Sequence, residues 1–349
     1  MIFDKIIIGG SMKKVYILLL TLLIVGCESK SINSYKDIDN YYRIYTPYKD
    51  RSSVYSISTI NSINMEEVET ELMDISKIYY DPNKLYYQSG QYLDNEFLKE
   101  LLMEINDFEE IKVGDKKIKP IYITSIFEQN YLNEDGVLNG ISLGITINRY
   151  QSYINEYKSI SYKIVESDEV YNLVKEKIPI ILSKIRDKYE LEDVKILVSL
   201  FMQSSSSSVY PGSYKYYGIT NNNEVKFKSI NYKYEDLDNI SSVFYNDYIE
   251  LKDTILKDIK NIYISGYTFL KEDETIKTII NITYNSNNKN SILYLNELIN
   301  KIISNKFNDT NLSIYIKNND KIKSMIFKEK SSSKVSIYMV DWLNNKNIV

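Results

Sequence analysis

The only cysteine among 349 residues, Cys27, follows Lys13-Lys14, an apolar run from Val15 to Val25 broken only by Thr21, and Gly26. A thiol is the nucleophile needed to accept a diacylglyceryl group. A small residue before it lets a peptidase approach the Gly26–Cys27 bond. The four residues Ile24-Val25-Gly26-Cys27 follow the order of a bacterial lipobox: apolar, permissive, small, cysteine. A short basic segment followed by an apolar stretch and a small residue makes a secretory signal. The stretch is shorter than the roughly 20 residues that a spanning helix needs. A core strand with a chance cysteine would not end in Gly-Cys and then turn polar with Glu28-Ser29-Lys30-Ser31.

Residues 12–26 are therefore expected to be a lipoprotein signal peptide, cut between Gly26 and Cys27. Cys27 is the expected site of lipid attachment, palmitate included. Two acyl chains anchor stably where one binds marginally. The expected location is the extracytoplasmic face of the cell membrane. The expected partners are membrane lipid, through acylated Cys27, and the lipoprotein-processing enzymes. Residues 1–11 do not fit a signal, because Asp4 is acidic and Gly9-Gly10 precede the lysines. A GGAGG-type ribosome-binding site upstream of Met12 would be translated as Gly-Gly, so this segment reads as a mis-called start.

The rest of the composition removes most catalytic chemistry. There is no histidine, hence no Ser-His-Asp or Cys-His arrangement and no imidazole metal ligand. One cysteine excludes an intrachain disulfide and a Cys-rich zinc or iron–sulfur site. Neither a Walker loop nor a dinucleotide fingerprint is present, and no cofactor or metal is expected. A net charge of −4 without a basic block argues against nucleic acid. Isoleucine, asparagine, lysine, serine and the 34 tyrosines suit an AT-rich genome, so the tyrosines alone do not mark an aromatic binding surface.

Three groups remain that could bind or react. The QSSSSS run from Gln203, with Ser204 and Ser205, leads to Pro211-Gly212; it is either a binding loop or a flexible connection with a turn. Asn133-Glu134-Asp135-Gly136 offers oxygen ligands, but without EF-hand spacing. Glu128 could pair with Asp135 or Glu166 as an acid/base couple, which would need two carboxylates facing each other roughly 5–9 Å apart.

Apolar periodicity places these groups on elements. Helices are expected over 65–79, 95–105, 167–189, 245–260 and 291–306, with Pro179 kinking the third. Strands are expected at 121–132, 140–150, 194–203, 214–220, 262–270, 275–285, 312–318, 321–329 and 333–341. Helix, two strands, helix and two or more strands occur twice. The expected fold is α+β and internally duplicated, with helices on one face of antiparallel sheets. Its parts would be a tether over 27–40, a first unit over 41–220, a linker over 221–240 and a second unit over 241–349.

The chain resembles the CamS family of Gram-positive lipoproteins, described as sex-pheromone precursors. The likeness rests on Tyr42-Arg43 with Pro47-Tyr48-Lys49, on the block from Leu85 to Asp94, and on Ile126-Phe127-Glu128-Gln129-Asn130-Tyr131. It continues through Gly140-Ile141-Ser142-Leu143-Gly144 and Gln203-Ser204-Ser205 to Pro211-Gly212-Ser213-Tyr214. The order of the blocks also matches, and the C-terminal third agrees by pattern. The segment between Leu102 and Pro120 looks shorter than in family members. The match at Gln203, Ser204, Ser205, Pro211 and Gly212 implies a fixed role for that loop. The resemblance also implies that the cut signal peptide is trimmed to a short apolar peptide, here Leu20, Thr21, Leu22, Leu23, Ile24, Val25 and Gly26. It implies no enzymatic chemistry for the body, which would be a non-enzymatic binding module with an unspecified ligand. The alternative is a carboxylate-dependent cell-envelope hydrolase.

Overall fold

The computed structural model describes residues 42–340, apart from 62, 115, 286–287 and 319–320. From Arg43 onward the described residues belong to one compact unit. Among them are five helices and two large sheets, each sheet with its own apolar core.

The first half contains β1 (Arg43–Ile44), α1 (Met65–Ser76), β2 (Tyr86–Ser89), α2 (Asn95–Ile105), β3 (Ile111–Val113) and β4 (Lys116–Ile118). It continues with β5 (Ile123–Leu132), β6 (Leu138–Ile147), β7 (Tyr150–Ile154), β8 (Ile160–Ile164), α3 (Ser167–Tyr189), β9 (Lys195–Gln203), β10 (Gly212–Thr220) and β11 (Lys228–Ser229). The seven-stranded sheet has the order β1-β2-β5-β6-β9-β10-β11. The hairpins β3–β4 and β7–β8 stand apart as two-stranded sheets.

Capping side chains start α1 and α2. Asn64 Oδ1 accepts the Glu67 N–H at 3.1 Å, and Asp94 Oδ1 accepts the Phe97 N–H at 2.8 Å. The predicted 65–79 helix stops at Ser76, and a turn carries the chain on to Tyr80. Helix α3 runs unbroken through Pro179. That proline is on the solvent side, where the carbonyl it leaves without an N–H partner can be hydrated.

Two expectations about the sheet are corrected. It is mixed rather than antiparallel, because β6 pairs parallel with β9. A helical crossover through α3 returns the chain in the same direction, as a βαβ unit requires. The helices also lie on both faces. Successive side chains of a strand alternate, and Ile141, Leu143, Ile145 and Ile147 of β6 join α2 and α3 in one core. Gly140, Ser142, Gly144 and Thr146 point the other way and leave room for α1. A Cβ on Gly144 would lie 2.3 Å from the Tyr214 hydroxyl and 3.2 Å from Leu72 of α1. Val68, Leu72 and Ile75 are at most 2% exposed, each contributing about 1.5–3 kcal/mol of burial.

The second half contains β12 (Tyr232–Asp236), α4 (Tyr245–Asp258), β13 (Ile262–Lys271), β14 (Glu274–Tyr284), α5 (Lys289–Ile303), β15 (Asn311–Asn318), β16 (Lys321–Lys328) and β17 (Val335–Met339). These six strands pair in sequence order, with β14 and β15 parallel across α5. The predicted turn after Lys271 is present, with Glu272 and Asp273 both at positive φ, as a tight hairpin requires. Leu251 and Ile255 of α4, and Leu295 and Ile299 of α5, pack on Ile280, Ile282, Ile314 and Ile316. The stretch 221–240, which has no clear period in sequence, supplies one edge strand of each sheet, β11 and β12.

The pairing order is the same in both halves. A helix precedes an antiparallel hairpin, a helix crosses over, and the next strand adds in parallel and starts a second antiparallel pair.

Candidate functional site

The QSSSSS loop joins β9 to β10, and its base is fixed. Gln203 and Gly212 are cross-strand partners at the ends of the two strands. Gln203 is buried and donates from Nε2 to Thr124 Oγ1 at 2.7 Å. Gly212 has φ +116, and a Cβ there would lie 2.2 Å from the Met202 carbonyl oxygen, so only glycine fits. The Ser204 N–H donates to the Pro211 carbonyl at 3.3 Å, and the Ser206 N–H donates to Asn61 Oδ1 at 3.0 Å. Tyr210 stacks on Tyr234 of β12, with ring centroids 5.4 Å apart and planes within 8°. The loop is thereby held against the second sheet.

Between this loop, the N-terminus of α1 and the outer face of β13–β16 lies a cleft of about 550 Å³. Of the five sequence-predicted loop residues, Ser205 and Pro211 line it, while Gln203, Ser204 and Gly212 build its support. The other walls include Glu66, Tyr267, Asn281, Tyr315, Lys317 and Met325. Sequence reasoning missed these six. For the five on strands the signal is the alternation in β13–β16, where Tyr267, Asn281, Tyr315, Lys317 and Met325 occupy the positions between the core residues; Glu66 comes from α1.

Beneath the cleft, α1 is joined to both sheets through two carboxyl groups. Glu71 is 3% exposed. It accepts the Tyr234 hydroxyl on Oε1 and the Tyr214 N–H on Oε2 at 3.2 Å. Glu67 accepts the Tyr234 hydroxyl at 3.1 Å and pairs with Lys277 Nζ at 2.7 Å. Burial pushes the Glu71 carboxyl up to about 8, against the Tyr234 hydrogen bond and with the help of the Glu67 charge. The Tyr234 hydroxyl is itself driven far above its usual range by burial and by the same two carboxylates. The upward shift favours the protonated form of Glu71 at neutral pH, within a network in which both its oxygens have partners.

Glu128, the carboxylate expected to couple with Asp135 or Glu166, is engaged by the main chain. Glu128 Oε1 accepts the N–H groups of Gln91 and Tyr92 at 3.0 and 3.1 Å, and Oε2 accepts those of Tyr92 and Leu93 at 3.2 and 2.8 Å. Both oxygens serve as a clamp on the 90–93 turn. Asp135 lies exposed in the β5–β6 turn, and Glu166 is the N-cap residue of α3. The Asn133–Gly136 segment is that turn itself. Asn133 Oδ1 accepts the N–H groups of Asp135 and Val137, and Gly136 has φ +77. Among the described residues no group of three or more Asp, Glu, Cys or His side chains is placed to hold a metal ion. No described helix is long and apolar enough to cross a membrane. Cys27, Gly26 and the segment Leu20–Gly26 lie outside the described residues.

The sequence profile of a family described as CamS sex pheromone cAM373 precursor matches residues 45–334. The sex pheromone precursor from Lactobacillus salivarius subsp. salivarius superposes with a TM-score of 0.66 at 19% identity, covering 79% of this chain and 87% of that one. The C-terminal domain of the sex pheromone staph-cAM373 precursor from Staphylococcus aureus gives 0.62 at 19% identity, covering 80% and 98%. At these identities the likeness is one of fold. None of the curated proteins matches the chain.

Proposed function

Because this chain belongs to the CamS family of sex pheromone precursors, we propose that it is a lipoprotein with two separable roles. Residues 12–26 direct export, Cys27 is acylated, and the chain is held on the extracytoplasmic face of the membrane. The released signal peptide is trimmed to the apolar segment Leu20–Gly26 and acts as a pheromone. The order Lys-Lys, apolar run, Gly-Cys carries this part of the proposal.

The body is a non-enzymatic binding module, built as a duplicated pair of units over 41–220 and 241–349. The shared pairing order supports the duplication. The observation that carries the binding role is the cleft between the braced serine loop and the outer face of the second sheet. The occupied oxygens of Glu128 count against the hydrolase alternative.

Labelled palmitate incorporation, with mass spectrometry of the culture medium, tests the first role. Label is expected on the wild type and absent from Cys27→Ala. Label that persists in Cys27→Ala defeats the anchor, and absence of the 20–26 fragment from the medium defeats the pheromone. Partial protease protection of the Ser205–Pro211 loop by a bound ligand tests the second role.

A further inference from the structure

Two clefts lie side by side on the outer face of the second sheet and share Met325 as a wall. The first is the one under the serine loop. The second, of about 520 Å³, runs over β16 and β17 past Phe327, Ser336 and Tyr338. Aromatic rings mark the whole path. Tyr210 and Tyr267 lie at the loop end, both packed on Tyr234 at 5.4 Å. Tyr315, Phe327 and Tyr338 then follow on three adjacent strands, with centroid steps of 6.2 and 5.9 Å. These steps are comparable with the length of one hexose unit. Neighbouring rings are steeply inclined to each other, at 87° and 62°, so faces and edges alternate along the row.

The charges along the path cancel. Glu67 is engaged by Lys277, and the remaining Glu66, Lys317, Glu329 and Lys334 are two of each sign. Such a surface offers no net field to an ionic polymer and complements an uncharged one. Over β13–β16 it is not an edge, for those strands are paired on both sides; among the described residues β17 alone forms the edge beside the second cleft. An extended peptide could add only beside β17, and not across the face of β13–β16 where Tyr267, Tyr315 and Phe327 lie. What the face offers is rings interleaved with hydroxyl and amide groups. A pyranose has the matching chemistry, with an apolar C–H surface for a ring and a rim of hydroxyls for Ser205, Asn281 and Ser336.

We infer that the joined clefts bind a linear chain of uncharged pyranose sugars, several units long. Tyr315, Phe327 and Tyr338 pack against successive sugars, and the serine loop closes over one end. This rests on the binding-module function proposed above and names its ligand class.

The test is a calorimetric titration of the mature full-length chain in detergent. The probes are the hexamer of β-1,4-linked N-acetylglucosamine, the hexamer of β-1,4-linked glucose, the two monosaccharides and a pool of uncharged decapeptides. At least one hexamer is expected to bind ten or more times tighter than its monosaccharide. Tyr315→Ala and Phe327→Ala are expected to weaken it at least tenfold. Tyr338→Ala, half exposed and tolerant of truncation, does the same should the other two fail to fold. Tyr157→Ala, at the tip of the distant β7–β8 hairpin, leaves affinity unchanged. Absence of binding by both hexamers at millimolar concentration, or affinity indifferent to Tyr315 and Tyr338, overturns the sugar assignment. Decapeptides that bind in a Tyr315-dependent way overturn it while sparing the binding module. Failure of every probe overturns both.

Discussion

The Tyr234 hydroxyl donates to the Glu71 carboxyl, so the first strand of one sheet is tied to a helix seated on the other. The second oxygen of Glu71 takes the Tyr214 N–H of the first sheet. One buried carboxyl thus spans both sheets directly under the cleft. Anything that alters its protonation acts on the joint between them.

The first prediction concerns pH. Glu71 titrates near 8 in the folded chain and at the ordinary carboxyl value when unfolded. Between these values the folded state binds the extra proton, so this group's contribution to stability is full below about 4.5 and falls as pH rises through 8. The slope is at most about 1.4 kcal/mol per pH unit. Glu71→Gln, which stays neutral, should flatten the wild-type decline between pH 5 and 8 in urea unfolding. Parallel profiles for the two proteins contradict a buried protonated Glu71.

Tyr234→Phe keeps the ring against Tyr210 and removes only the hydroxyl shared by Glu67 and Glu71. A loss of about 1–3 kcal/mol is expected, since the buried Glu71 carboxyl loses its hydroxyl partner while Glu67 keeps Lys277. The loss should grow above pH 8, where Glu71 carries charge. Combined with Glu71→Gln, the two effects should add to less than their sum, because they remove one shared interaction. Strict additivity in the double-mutant cycle would separate the two side chains.

Gly144→Ala probes the stripe that seats α1. The new methyl would sit 2.3 Å from the Tyr214 hydroxyl, which itself donates to the Val68 carbonyl at 3.0 Å. Neither the helix nor the buried tyrosine can yield freely, and about 1–3 kcal/mol of destabilisation is expected from such overpacking. The measurement is the denaturant midpoint at unchanged slope. A wild-type midpoint would mean that α1 is not clamped at this point.

Much of the secondary structure was legible because periodicity reports burial directly. Val68, Leu72 and Ile75 predict α1, and the Lys271–Glu274 turn predicts the β13–β14 hairpin. Strand order was less legible, since an alternating strand names its faces and not its neighbours. The parallel pairing of β6 with β9 and of β14 with β15 follows only once the helices between them are seen as crossovers. The seat of α1 was written in Gly140-Ile141-Ser142-Leu143-Gly144 as small residues alternating with apolar ones, though the two faces of β6 have equal claim to a helix until the chain is folded. The β7–β8 hairpin has no core-facing apolar set, and Ile154, Tyr157 and Ile160 remain exposed, so burial left no period to detect. The cleft was hidden by abundance. With 34 tyrosines in the chain, Tyr267 and Tyr315 stand out only when four strands bring their outer faces together. Conversely, the proposed acylation of Cys27 rests on the sequence alone, since that residue lies outside the described ones.

Glu128→Gln distinguishes a clamp from a catalyst. Glu128 presents two carboxylate oxygens to the N–H groups of Gln91, Tyr92 and Leu93. Burial raises its titration point even though these donors favour the charged form. Glutamine offers one acceptor oxygen and turns an NH₂ group toward the remaining donors. At least one buried N–H is orphaned, and a loss of about 1–3 kcal/mol is expected. An acid/base residue would behave differently, since an isosteric amide there would leave folding intact and abolish turnover. Urea unfolding of Glu128→Gln therefore decides between the two. A clear drop in midpoint, with faster hydrogen exchange at Gln91, Tyr92 and Leu93, supports the clamp. Wild-type stability would reopen the carboxylate-hydrolase alternative for this family-like block.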